Sequence, residues 1–209
     1  MLFETIVVGP LGVNCFILGD KQSKEGVVVD PGADCEMILD SVARFGIKVT
    51  YVINTHGHFD HVGCNRQLTE RTGAELLIHQ GDQALLSMAS RSAQKYGLTV
   101  EDSPVPSRHL TDGMTIEFGR RRIEVLHTPG HTQGGCSLYL ANEKLLITGD
   151  TLFAESVGRT DLPGGDHDQL ISSIKAKLMP LPDETIVWPG HGPSSTIGTE
   201  RRRNPYINA

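Results

Sequence analysis

The segment Thr55–His61 reads Thr-His-Gly-His-Phe-Asp-His and places three imidazoles and a carboxylate within six residues. His56 and His58 are two apart, so in an extended segment both rings leave the same side and can bind one cation. Asp60 and His61 are adjacent, and a turn there aims both at a neighbouring cation, with Gly57 free to make the bend. Further along, His131 sits in Thr128–Thr132 (Thr-Pro-Gly-His-Thr), Asp150 in Thr148–Thr151 (Thr-Gly-Asp-Thr) and His191 in Pro189–His191 (Pro-Gly-His). Packing alone would not gather so many polar groups beside apolar runs, because each is costly to bury unpartnered. Two divalent ions held there could share a water and lower its pKa from about 15.7 to roughly 7. One of them could also polarise a carbonyl oxygen, so hydrolysis would need no serine or cysteine nucleophile.

Rigid elements must bring these residues together. Short β-branched runs at Thr5–Val8, Asn14–Leu18, Val27–Val29, Val49–Ile53, Ile123–Leu126, Lys144–Thr148 and Thr185–Trp188 read as strands. Five of them deliver a metal-capable side chain just past their C-terminal end: Asp30, His56, His131, Asp150 and His191. Ligand sites in sheets flanked by helices gather at such ends, so the pattern predicts one shared site. Between the strands, Met37, Ile38, Val42 and Phe45 mark one face of a helix, with Asp34 as N-cap and Gly46 as stop. A second helix runs from His167 to Leu178, capped by Asp166 with Gln169 three positions on, and a helical region spans Gln80–Tyr96. Pro104 and Pro106 mark Ser103–Ser107 as a midpoint crossover. Strands mixed with amphipathic helices indicate a layered α/β or α+β domain, taken as one unit over 1–209.

The net charge of -6 opposes binding to nucleic acid or anionic membrane, and the run Arg201–Arg203 reads as a solvated tail helix. The N-terminus lacks a secretory pattern and no segment has the roughly 20 apolar residues of a membrane span, so a cytoplasmic protein is expected. Cys15, Cys35, Cys64 and Cys136 form no CxxC pair and are expected as reduced, buried thiols.

In this order, the motifs resemble the metallo-β-lactamase superfamily, whose HxHxDH, later His, later Asp and final His form a binuclear site. More narrowly, Gly158–Leu170 and Glu200–Tyr206 resemble the short glyoxalase II, or hydroxyacylglutathione hydrolase-like, type. The resemblance implies an αββα sandwich (α+β) of two mixed β-sheets packed face to face with helices outside. By position, His56, His58 and His131 would hold one metal, and Asp60, His61 and His191 the other. Asp150 would bridge them, and Asp60 and Asp150 would be the catalytic carboxylates. Asp30 resembles a buried aspartate that orients a ligand or loop without binding metal; its bland alternative is a turn former before Pro31. His79, His109, His127 and His167 match no ligand position, although His167 borders the implied active site and is a candidate substrate contact. Cys136 matches no ligand position either.

The nitrogen and oxygen donor set suits two divalent ions, with Zn2+ expected first and Fe or Mn also suited. A thiolate leaves at a pKa of about 8.5, whereas an amine must be protonated, which favours thioesters over β-lactams. Resemblance therefore suggests S-D-lactoylglutathione or a related acylglutathione, a small-molecule substrate, for a monomer or small homo-oligomer. The sequence stops at Ala209 without the basic C-terminal domain of longer glyoxalase II proteins, leaving Arg159 as the candidate for a ligand carboxylate; its bland alternative is an ion pair with Asp161. The competing reading is a persulfide dioxygenase of the same fold with a single iron on His56, His131 and Asp150. A flavodiiron module would need a flavin domain, and a ribonuclease Z relative a basic exosite.

Overall fold

The structure is a computed structural model and describes residues 1–208. The first sheet is formed, in spatial order, by β1 (Leu2–Val8), β2 (Val13–Gly19), β3 (Glu25–Val29), β4 (Lys48–Ile53), β5 (Glu75–His79) and β6 (Arg108–Leu110). Its first three strands are antiparallel, and β3 to β6 run parallel. The second sheet contains β7 (Thr115–Phe118), β8 (Arg121–His127), β9 (Cys136–Leu140) and β10 (Leu145–Gly149). After a small hairpin of β11 (Leu152–Phe153) and β12 (Ser156–Val157) it is completed by β13 (Ile186–Pro189) and β14 (Ser195–Thr196). Its order is β14-β13-β10-β9-β8-β7, with only the β10–β13 pair parallel.

Alternation along the strands builds the layers. Phe16, Leu18, Val27, Val29, Ile53 and Leu77 point to one face and meet Phe118, Ile123, Val125, Leu138 and Ile147 of the second sheet. The opposite faces carry helices: α1 (Cys35–Phe45), α2 (Phe59–Val62), α3 (Asn65–Thr72), α4 (Gln83–Ser87) and α5 (Ala89–Gln94) on the first sheet's side, α6 (His167–Ser173) and α7 (Ile197–Arg203) on the second's. Cys15, Ile17, Val28 and Ile78 pack with Ile38, Leu68 and Ala93, while Leu146 and Val187 pack with Leu170, Ile174 and Ile197. This is the expected αββα sandwich, and β2 and β3 are mostly apolar and buried along almost their whole length because both of their faces are covered.

Local expectations fare unevenly. Asp166 caps α6 by accepting the Gln169 N–H at 2.9 Å, and the helix continues through a wider turn over Ile174–Leu178. Gly46 ends α1 in the left-handed conformation. Asp34, by contrast, is no N-cap: its backbone is left-handed and its carboxylate accepts the Gly9 N–H, holding the β1–β2 turn. Met37 points outward, so the buried stripe of α1 is Ile38 and Val42. The helical region around 80–96 is broken into a 3-10 turn at Gln80–Asp82 and the short α4 and α5. Ser103–Ser107 is not the crossover; it feeds β6, still in the first sheet, and the chain changes sheets at the turn after Leu110.

The four-thiol expectation is overturned in part. Cys35 and Cys64 form a disulfide, while Cys15 and Cys136 are free and buried as expected. The cause is a backbone contact that no sequence spacing announces. Cys64 donates its N–H to the Pro31 carbonyl at 2.8 Å, and a Cβ on Gly63 would lie 2.2 Å from the Gly32 oxygen, so the two loops touch at glycine. Among the described residues no helix is long and apolar enough to cross a membrane.

Candidate metal centre

The C-terminal ends of β3, β4, β8, β10 and β13 converge. Asp30 ends β3 with a left-handed backbone, a conformation that aspartate tolerates better than most residues. Asn54 after β4 donates its side-chain amide to the His61 carbonyl at 3.2 Å, closing the loop that presents His56 and His58 before α2 supplies Asp60 and His61. His131 follows β8 in a turn whose Gly130 has φ 135 and leaves no room for a Cβ against Leu170 of α6. Asp150 follows β10 and His191 follows β13. Between them Gly190 is required sterically, because a Cβ there would lie 2.3 Å from the Asp150 Oδ1.

Two sets of ligand atoms result. Those of His56, His58 and His131 lie within 4.8 Å of one another, as do those of Asp60, His61 and His191. Asp150 reaches both: its Oδ1 is 3.5 Å from His61 Nε2, and its Oδ2 is 3.6 Å from His191 Nε2 and 3.7 Å from His131 Nε2. All seven residues named from the sequence therefore meet in one cluster. Asp30, His56 and His61 also lie close together, but the Asp30 carboxylate already accepts from the Thr55 N–H at 2.7 Å and the Thr55 hydroxyl at 2.6 Å, and faces His61 Nδ1 at 3.1 Å.

Those contacts fix the tautomers. The Thr55 hydroxyl gives its proton to Asp30, so it accepts from His56 Nδ1 at 3.1 Å. His61 Nδ1 donates to Asp30, His131 Nδ1 to the Arg159 carbonyl at 2.7 Å, and His191 Nδ1 to the Leu11 carbonyl at 3.1 Å. Four imidazoles thus turn their Nε2 atoms inward, the arrangement that outer acceptors impose on metal-ligating histidines. His58 Nδ1 lies 3.0 Å from His131 Nε2. His56 Nε2, His61 Nε2 and Asp150 Oδ1 are buried with no hydrogen-bond partner among the described residues. Such unpaired groups are costly in a protein interior, and cations held one in each ligand set with Asp150 shared would satisfy all three, so the donor set fits metal.

Charge agrees with geometry. Burial, reinforced by neighbouring imidazoles, holds His56 well below the ordinary histidine value and His58 down to about 3. Burial would also lower His61, but Asp60, Asp150 and Asp30 outweigh it and push that ring up to about 10. Burial would raise Asp60, yet His61 and His191 hold it below the usual carboxylate range. The Asp60 side thus attracts positive charge, while the three-histidine side offers neutral donors.

The other sequence candidates lie outside this cluster. Arg159 is exposed and forms a two-bond ion pair with Asp161, at 2.7 Å on each arm; only its carbonyl engages the cluster. His167 is exposed on α6 with its ring edge toward Tyr206, and no hydrogen bond joins it to the cluster among the described residues. Cys136 is buried, its thiol pushed up by burial first and by Asp82 next, and donates to the Gly134 carbonyl. The Thr55 relay and the Leu11 and Arg159 carbonyls were not foreseen. Thr55 stood inside the motif, but the two carbonyls carry no residue-type signal. A cavity of about 340 Å³, walled by Val8, Leu11, Phe59, Leu98 and Val100, shares Asp60 with the cluster, although none of the clustered histidines lines it.

Comparison with known proteins agrees with this arrangement. Residues 8–191 match the Metallo-beta-lactamase superfamily. The hydroxyacylglutathione hydrolase GloC of Haemophilus influenzae is 36% identical over 211 residues, covering 100% of this chain and 99% of that protein. The crystal structure of the BLEG-1 B3 metallo-beta-lactamase superposes with a TM-score of 0.92 at 35% identity, covering 100% of both chains. That of TTHA1623 in a di-iron-bound form gives 0.89 at 38% identity, covering 97% of this chain and 99% of the other. With the ends of five strands placing His and Asp donors in one cluster, the chain belongs to the metallo-β-lactamase superfamily and is a metallo-hydrolase of that fold.

Proposed function

We propose that the protein is a binuclear metal-dependent thioester hydrolase acting on S-D-lactoylglutathione or a related acylglutathione. The observation that carries this reading is Asp150, whose carboxylate lies between the two ligand sets with one oxygen buried and unpaired. His56, His58 and His131 would hold one ion and Asp60, His61 and His191 the other, with Asp150 shared. Two such ions, when bound, would supply a hydroxide near neutral pH and a Lewis acid for the carbonyl oxygen. Zinc and iron both suit this donor set, and the di-iron form of TTHA1623 supports the two-ion count.

The chain's own groups favour a leaving group that departs without a proton. The Nδ1–H groups of His56, His61, His131 and His191 all point outward, to Thr55, Asp30, Arg159 and Leu11, so none faces a departing amine. A thiolate, with a pKa of about 8.5, needs no such donor. The likeness to GloC supports the same substrate class. The likeness to BLEG-1 makes a β-lactam the substrate to compare against.

Metal analysis of the purified protein, run beside assays of thioester, β-lactam and oxygen consumption, tests the proposal. We expect two equivalents of metal, oxygen-independent thioester turnover, and loss of most metal and nearly all turnover in Asp150→Ala while the chain remains folded. Full activity in Asp150→Ala would defeat the ligand assignment. Oxygen uptake with a persulfide substrate and one iron per chain would replace the hydrolase with an oxygenase.

A further inference from the structure

We propose that Asp82 is a positioning residue that holds the three-histidine half of the centre in register. β5 ends at His79, and the 3-10 turn that follows carries Asp82 into the interior, where it is fully buried. Its Oδ2 accepts the Gly57 N–H at 2.9 Å and the Thr132 hydroxyl at 2.7 Å, and its Oδ1 accepts the Gly134 N–H at 2.6 Å. Gly57 is the residue between His56 and His58, and Thr132 directly follows His131. One carboxylate therefore ties together the two loops that supply His56, His58 and His131, although those loops are far apart in the chain.

Glycines bring the three segments into backbone contact. A Cβ on Gly57 would lie 2.8 Å from the Asp82 carbonyl oxygen, one on Gly134 would lie 2.6 Å from the Asp82 nitrogen, and one on Gly81 would lie 2.9 Å from the Gln133 oxygen. No lysine or arginine pairs with Asp82 among the described residues, so its charge is carried by these three donors alone. Hydrogen bonds to an ionised acceptor are stronger and more directional than neutral ones, and here each bond fixes a residue next to a histidine.

The other half of the centre is held differently. His61 and His191 rest on Asp30, the Asn54 amide and the Leu11 carbonyl, none of which hydrogen-bonds to Asp82 among the described residues. This division separates a positioning role from a merely structural one. Loss of Asp82 should loosen one metal subsite and leave its neighbour alone, whereas general destabilisation would not discriminate between them. The inference rests on the binuclear reading, and its test is metal release rather than turnover.

The zinc-loaded protein is titrated with a chelator, comparing the wild type with Asp82→Asn, Thr132→Val and Ile38→Ala. Asn keeps the shape but turns an amide toward N–H donors. Thr132→Val removes one of the three bonds, and Ile38→Ala destabilises the helical layer away from the centre. We expect one equivalent to leave Asp82→Asn about 10–100-fold more readily, with the second unchanged. Thr132→Val should show a smaller shift of the same kind, and Ile38→Ala none. Equal weakening of both equivalents, or none, in folded Asp82→Asn overturns the proposal. If Asp82→Asn does not fold, an unchanged Thr132→Val overturns it. A wild type with a single equivalent would count against the binuclear centre, and the Asp82 assignment would then stand or fall on whether Asp82→Asn loosens that one ion.

Discussion

The Nδ1 of His61 faces the Oδ2 of Asp30 at 3.1 Å, and both side chains are completely buried. The same carboxylate oxygen accepts the Thr55 hydroxyl, which in turn accepts from His56. Asp30 therefore orients one histidine of each ligand set, His61 directly and His56 through Thr55. In Asp30→Asn the backbone strain is small, since asparagine also tolerates the left-handed conformation. The amide nitrogen, however, would face donors. We expect the folded variant to bind metal about 10–100-fold more weakly and to be less stable by about 1–3 kcal/mol. Chelator competition and urea unfolding measure the two effects. Metal affinity equal to that of the wild type would reduce Asp30 to a turn former.

The Cys35–Cys64 bond closes a loop of sequence separation 29 between α1 and α3. In the chain-entropy account a loop of that size stabilises by about 3–4 kcal/mol, by restricting the unfolded chain. Denatured, unreduced protein should therefore present two reactive thiols, Cys15 and Cys136, and four after reduction. The double variant Cys35→Ser, Cys64→Ser should unfold at markedly lower denaturant and still bind metal, because neither sulfur belongs to the ligand sets. Four thiols in the unreduced protein would remove the cross-link.

How much of this was legible in the sequence follows from how local each signal is. The seven clustered donors could be read because His56, His58, Asp60 and His61 share one short motif and the rest follow apolar runs by a few residues. The strand ends that present them could be read for the same reason. β5 and β9 could not, since Glu75–His79 and Cys136–Leu140 are short runs that strand and buried helix share. With β5 unread, Asp82 had no strand end to stand at, although it obeys the same rule as Asp30 and Asp150. The disulfide and the misassigned cap at Asp34 share another cause. Both depend on which loops touch in space, Pro31–Gly32 against Gly63–Cys64 in one case and Asp34 against Gly9 in the other.

His79 and His127 stack with ring centroids 4.1 Å apart and 15° between their planes, outside the metal cluster. Burial, then the charge of His127 and of the more distant His109, holds His79 below its ordinary value, opposed by Asp82. Well above the ordinary histidine pKa of about 6.5 the ring is neutral both folded and unfolded and contributes no slope. As pH falls below that value, the unfolded chain takes up the proton first, so the folded state loses stability. His79→Asn keeps an acceptor for the Gly81 N–H, which His79 Nδ1 accepts at 3.1 Å, and removes the titration. Urea midpoints of the chelated proteins between pH 5 and 8 should show the variant gaining on the wild type toward acid. Parallel curves would show that His79 does not titrate differently on folding.

Arg159 engages its surroundings through two separable groups. Its carbonyl holds His131 Nδ1 at 2.7 Å, while its guanidinium, exposed, is engaged only by Asp161 among the described residues. An exposed ion pair contributes little to stability, so the guanidinium is available at small cost to an incoming carboxylate. Substitution to alanine keeps the carbonyl, and metal content should be unchanged. If the guanidinium binds a glutathione carboxylate equally in ground and transition states, Arg159→Ala raises KM for the acylglutathione about tenfold. It leaves kcat alone, because uniform binding is all that is lost. A thioester of an uncharged thiol should show no such change, which ties the effect to the carboxylate. Asp161→Asn should act in the opposite direction on KM, since it frees the guanidinium. An unchanged KM in Arg159→Ala would leave the pair with Asp161 as its whole role, and a fall in metal content would mean that the side chain, not only the carbonyl, supports His131.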